Sequence, residues 1–184
     1  VNIFVVDDCP EKSARSLCDK HVVKMILESA QMMSTTHRVL DGEEYYDLSK
    51  NNRRIKRWKL SDPREETLWK ASFVNHPCTR WTMETSENYK WHWLHALTLC
   101  REYTSRYEKI HSAQNLIENI LCGLPRRIPS GELTPFAQAM PDIYKDEHDA
   151  VNAYRNYYNG TKTRFAKWKN GKVPHWFRSE TLTT

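Results

Sequence analysis

The chain has 184 residues, 28 Lys and Arg against 23 Asp and Glu, and a formal net charge of +5. That length suits one domain with a sizeable core, and no stretch approaches the roughly 18 apolar residues of a membrane span. The opening VNIFVV run is too short for a secretory leader and lacks its basic flank, so a soluble, cytoplasmic protein is expected. The cysteines, Cys9, Cys18, Cys78, Cys100 and Cys122, number 5 with no CxxC pair, which points to reduced thiols rather than a disulfide framework. Positive charge beside 7 Trp and 9 Tyr suits a polyanion with stackable bases, although the same aromatics are ordinary core material.

Val1–Val6 is β-branched and apolar and is ended by Asp7-Asp8-Cys9-Pro10, which predicts one short strand or an extended tail packed on the domain. A helix is predicted from about Glu11 to Arg38, with Val22, Ile26, Ala30 and Met33 as its apolar stripe. His21, Lys24, Glu28 and Gln31 fall on its opposite, polar side. Over 41–66 the pattern breaks into DGEEYYD and a basic run containing Arg53, Arg54 and Arg57, which predicts a long loop or insertion. Asn75-His76-Pro77-Cys78 predicts a turn, because Pro77 biases His76 toward extended geometry.

A second long helix is predicted from about Thr79 to Tyr107 and a shorter one over 113–122. A proline-rich irregular stretch follows over 125–141. A last helix, over about 146–170, carries many Tyr, Trp, Lys and Arg residues. The predicted class is mainly α: a compact single-domain helical bundle over residues 1–184 with a short extended N-terminal segment.

His21 and Glu28 are separated by almost two helical turns and so project from one face. The chain begins at Val1 with no Met before it. An α-amine has a reference pKa of about 7.7–8.0 against about 10.4 for a lysine, so far more of it is neutral and nucleophilic near pH 7. Amine and carboxylate together are sufficient for Schiff-base chemistry, while a His-Glu pair two turns apart is by itself more often an ordinary polar helix face. In the last helix, Arg155 and Lys162 could neutralise phosphates while tyrosines stack on bases, or the tyrosines could simply pack inward. Cys9, Cys18, His21, His76 and Cys78 lack the local ligand pairs of zinc sites, so no metal is expected.

The run Leu17-Cys18-Asp19-Lys20-His21-Val22-Val23-Lys24-Met25-Ile26-Leu27-Glu28 resembles the first helix of the phage pyrimidine dimer DNA glycosylases, with Asp, His and catalytic Glu at the same spacing. Asn75-His76-Pro77 with Arg80-Trp81, then Glu102–Arg106, is similar to the turn and helix of related bacterial proteins. Tyr154–Lys162 shares their aromatic-basic character. The chain as a whole resembles a largely uncharacterised group of phage-encoded members. It departs from the dimer enzymes at Leu27 and Gln31, where those enzymes carry phosphate-gripping arginines, and its LTPFAQAMPD block has no evident counterpart in them.

The resemblance implies a DNA glycosylase with abasic-site lyase activity, acting through an N-terminal amine Schiff base. Val1, Glu28 and His21 would be catalytic. Lys24, Gln31, His76, Arg80, Trp81, Arg155, Tyr157, Tyr158 and Lys162 would bind substrate; on charge alone, Arg53, Arg54 and Arg57 are further candidate phosphate contacts. Trp81, Tyr157, Tyr158 and Trp168 are the candidate wedges. The implied partner is double-stranded DNA, damaged or modified, with pyrimidine dimers among the targets. The expectation is a monomer of the host cytoplasm that needs no cofactor and binds no membrane. Two alternatives stay open: a glycosylase-fold phage protein that binds DNA or a host factor without catalysis, or one acting in modified-base metabolism.

Overall fold

Pro10 presets the backbone of a first helical turn and has no amide to leave unpaired. It opens α1 (Pro10–Ser16) in the computed structural model of the chain, which describes residues 1–178. The single helix expected over 11–38 is in fact two. Leu17 and Cys18 are extended and fully buried, and α2 (Asp19–Asp41) restarts after them. The break is held by residues remote in sequence. Arg106 donates to the carbonyls of Arg15 and Leu17 at 3.0 and 2.8 Å, and Trp168 Nε1 donates to that of Ser16 at 3.0 Å. These carbonyls lack partners at a helix end, and only remote donors satisfy them here.

The stretch expected to be a loop over 41–66 is mostly an antiparallel pair, β1 (Glu43–Leu48) and β2 (Arg54–Lys59), followed by the single-turn helix α3 (Arg64–Thr67). Tyr45 lies opposite Arg57 and Tyr46 opposite Lys56. The strands were hidden in the sequence because neither face buries an apolar row, so the period-2 signal is absent. Cross-strand pairs stabilise it instead: Lys56 Nζ is 3.0 Å from Glu44, and the Arg54 guanidinium lies 3.6 Å above the Tyr46 ring.

An isolated hairpin is marginal in water, and this one is rooted by Arg38 of α2. The Arg38 side chain is 1% exposed and donates to the carbonyls of Trp58, Trp69, Leu68 and Glu65, and to the Glu65 carboxylate at 2.6 Å.

The second predicted long helix is also two, α4 (Pro77–Glu84) and α5 (Ser86–Tyr107). Here the cause is local. Thr85 is extended, and its Oγ1 accepts the Asn88 N–H at 3.1 Å as the N-cap of α5. α6 (Gln114–Asn119) is shorter than expected, and the proline-rich segment is irregular and is followed by one 3-10 turn at Asp142–Tyr144. α7 (Ala150–Thr161), capped by Asp149, ends well before Asn170. The fold is mainly α. α2 packs along α5 and α4, its predicted stripe of Val22, Ile26, Ala30 and Met33 is buried, and Val1–Val6 forms no strand but lies packed on this body. No helix among the described residues is long and apolar enough to cross a membrane.

Burial of histidines ties the fold to pH. Desolvation lowers His21, His92 and His95 to about 3 and His37 to about 4, with the positive charges of Lys162 and Arg64 reinforcing it at His21 and His37. The unfolded chain takes up these protons below about pH 6.5 and the folded chain does not until far lower, so stability falls as pH drops through that window. Thermal midpoints measured from pH 7 to 4 should decline steadily, with about four protons taken up on unfolding near pH 5.

Candidate active site

The N-terminal segment is shaped by its second residue. Asn2 Oδ1 accepts the N–H groups of Ile3 and Phe4 at 2.8 and 3.1 Å, and Asn2 Nδ2 donates to the Ala139 carbonyl at 2.7 Å. Phe4 takes a left-handed backbone, φ 59°, which is rare for a bulky residue, and its ring stacks 4.2 Å from that of His21. Ser13 Oγ accepts the Val6 N–H, and Arg155 Nε donates to the Val6 carbonyl at 2.9 Å. The chain is thereby turned so that the Val1 nitrogen lies 3.6 Å from Glu28 Oε2. The same carboxylate oxygen accepts the Asn2 N–H at 2.9 Å, and Lys24 Nζ is 3.5 Å from Oε1. Glu28 is 6% exposed, so a buried carboxylate faces three nitrogens.

Around this pair opens a cleft of about 430 Å³. Phe4, Tyr157 and Phe165 wall it, and Lys20, Lys24 and Lys162 line it as well. Lys162 Nζ sits 4.4 Å above the Tyr157 ring and Lys20 Nζ 4.9 Å above that of Phe165. His21 stays neutral at ordinary pH, because burial and then the Lys162 and Lys24 charges push it down to about 3, and its Nδ1 lies 2.6 Å from Tyr158 Oη. His76 is the N-cap of α4, its Nδ1 accepting the Cys78 N–H at 3.1 Å. Burial and the positive charge at the Val1 amine hold its imidazole below the usual value, with Glu28 acting the other way. Burial pushes the Cys78 thiol up to about 11, so it is an inert neighbour at neutral pH.

Of the residues expected in the site, the fold gathers Val1, His21, Lys24, Glu28, Tyr157 and Lys162 around one cleft and sets His76 within electrostatic reach of it. His21 and Glu28 are not on a solvated face, as the helical wheel suggested; the N-terminal segment and α7 cover them. Three expected wedges are unavailable. Trp81 is buried between Trp91 and Phe136 with Nε1 donating to the Thr134 carbonyl, Tyr158 is buried beneath His21, and Trp168 is buried against Phe177.

Arg155 is engaged with Val6 and, at 3.7 Å, Asp7. Gln31 and Arg80 lie outside the cleft lining, Arg53 and Arg54 are exposed on the hairpin, and Arg57 donates to the Ala71 carbonyl. Among the described residues no group of three or more His, Cys, Asp or Glu side chains is placed to hold a metal.

The sequence reading missed Asn2, Phe4, Phe165 and Ala139. The LTPFAQAMPD block now has a place: its Ala139 carbonyl tethers Asn2, while Tyr154 Oη donates to the Ala137 carbonyl and accepts the Ala139 N–H. The signal that could have found Asn2 is an Asn beside the terminus, a residue type that closes its own following turn.

Fold and cleft together define a class: a mainly helical protein that sets a backbone amine against a buried carboxylate in a basic, aromatic-walled cleft. The chain belongs to the pyrimidine dimer DNA glycosylase family, which matches residues 1–115. The match spans Val1, all of α2 and the His76 cap, and it brings a glycosylase-type function with DNA as the substrate. Comparison with curated proteins and with solved structures found no match.

Proposed function

We propose that this protein is a DNA glycosylase and abasic-site lyase in which the Val1 α-amine is the nucleophile and Glu28 its acid–base partner. The supporting observation is the 3.6 Å approach of the Val1 nitrogen to Glu28 Oε2 within the cleft. The neutral amine attacks C1′ of the target deoxynucleotide, and the C1′–N bond to the base breaks with its electron pair leaving on the base. Protonation of O4′ opens the sugar and leaves an iminium between Val1 and C1′. Loss of a C2′ proton then expels the 3′ phosphate and cuts the strand. Glu28 takes the proton of the attacking amine, returns one to O4′ and stabilises the cation. This chemistry needs no cofactor, because amine and carboxylate supply both nucleophile and proton carrier.

Neutral His21 orients the sugar or Glu28 by hydrogen bonding. Lys24 and Lys162 meet the phosphates, and Tyr157 offers a face to a displaced base. Leu27 and Gln31, where the dimer enzymes carry arginines, favour a damaged or modified base as a target alongside pyrimidine dimers. Tyr157, Lys162 and Ala139 lie beyond residue 115 yet shape the same cleft, so we read the chain as one functional domain.

Borohydride reduction in the presence of abasic duplex DNA tests the scheme. A covalent adduct should form and map to Val1, and an acetylated or Met-extended terminus should abolish it. Salt-dependent DNA binding with neither adduct nor nicking would instead identify a binding protein. Intact mass of the protein from its natural source tests the premise, since residues retained ahead of Val1 would remove its amine from the mechanism.

A further inference from the structure

With three expected wedges buried, an exposed aromatic that the sequence did not single out stands three residues before His76. Phe73 is 57% exposed, and its φ of 52° lies in the left-handed region where a bulky side chain is strained. Both flanks of the residue are pinned. Ser72 N–H donates to Thr35 Oγ1, and Thr35 Oγ1 donates to the Ser72 carbonyl, each at 3.0 Å. The Phe73 carbonyl accepts the His76 N–H at 3.0 Å, and His76 in turn caps α4 ahead of Pro77. Core packing does not account for the strain, since the ring points to solvent for much of its surface. Such strain persists where the surrounding structure over-determines it, and it concentrates at functional sites.

The position fits. Thr35 follows Glu28 by seven residues on α2, about two turns or roughly 10 Å along the same helix side. His76, three residues after Phe73, feels the charges of both the Val1 amine and Glu28. Phe73 is therefore tied, through Thr35 and His76, to the elements that carry Glu28 and face the Val1 amine. The lysines lining the cleft supply the charge complementarity for a duplex.

We propose that Phe73 is a base-stack wedge: double-stranded DNA held at the cleft is kinked with the Phe73 ring inserted between base pairs next to the target nucleotide. Opening the stack exposes apolar base surface, which a rigidly presented aromatic ring covers without first having to be ordered. The inference rests on the glycosylase reading for its substrate, but its test is separable. Single-turnover trapping is measured on an abasic duplex and on an abasic single strand, which needs no kink, alongside 2-aminopurine fluorescence in a duplex with the probe beside the lesion.

Phe73→Ala should slow trapping on the duplex by about tenfold, the scale of one lost stacking contact, and leave the single strand within about twofold. Phe73→Trp should retain the duplex rate. Wild-type protein should brighten 2-aminopurine and Phe73→Ala should not. Phe73→Gly, which relieves the backbone strain, should melt no lower than wild type yet be as slow on duplex as Phe73→Ala, separating loss of the ring from loss of the fold. A Phe73→Ala protein that matches wild type on duplex rate and on fluorescence overturns the wedge. Failure of the wild type to trap either substrate overturns the covalent mechanism instead, and the fluorescence comparison still decides the role of Phe73.

Discussion

Replacing Glu28 by Gln is expected to lower single-turnover cleavage of abasic duplex DNA by about 10²–10⁴-fold, with the Kd for the same duplex changed by less than about threefold. The substitution isolates charge from shape. Gln has the same length, and its amide oxygen can still accept the Asn2 N–H that Glu28 now accepts at 2.9 Å, so the N-terminal turn keeps its anchor. What disappears is the negative charge beside the Val1 nitrogen and the group that can carry its proton. Binding should survive because the phosphate-facing lysines and aromatic walls are untouched, and loss of the like-signed carboxylate slightly favours a polyanion. Turnover should not survive, since an uncompensated iminium and an amine without a proton acceptor both raise the barrier. An unchanged rate for Glu28→Gln removes the carboxylate from the mechanism.

The second large effect is on stability. Arg38→Met should reduce the free energy of unfolding by about 3–5 kcal/mol in a urea titration. Arg38 makes five hydrogen bonds, four of them to main-chain carbonyls of the segment spanning Trp58 to Trp69. Met fills the volume but leaves those carbonyls unpaired, each a cost of about 1–3 kcal/mol where water cannot reach. Arg38→Lys should fail nearly as badly, because a single ammonium cannot donate in the fork geometry that reaches Trp58 and Trp69 together. Hydrogen exchange should show the loss first at β1 and β2, which have few other ties to the body. The same anchoring precedes the Ser72–His76 turn, so loosening it should also degrade the presentation of Phe73.

Where the chain carried its own local instructions, the fold was readable. Pro77 and its preceding His76 marked the start of α4, and Thr85 with Asn88 is a capping pair in plain view, although a long helix was expected to run through it. The apolar stripe of α2 identified its buried side because period 3.6 is written in neighbouring residues. The break at Leu17-Cys18 was not readable, since Arg106 and Trp168 hold it. The hairpin was not readable either, since it buries no face of its own and is rooted through the backbone by Arg38.

The candidate site divides the same way. The spacing of His21 and Glu28, and the family that spacing belongs to, are properties of twelve consecutive residues and could be taken from them directly. That those two polar side chains are buried rather than solvated could not. Burial depends on Phe4 folding back over His21, Tyr158 standing beneath it, and Ala139 tethering Asn2 from 137 residues away. A helical wheel reports which residues share a face. Only packing against distant segments determines whether that face meets water, and so whether a carboxylate and an amine meet in a cleft or remain two solvated charges.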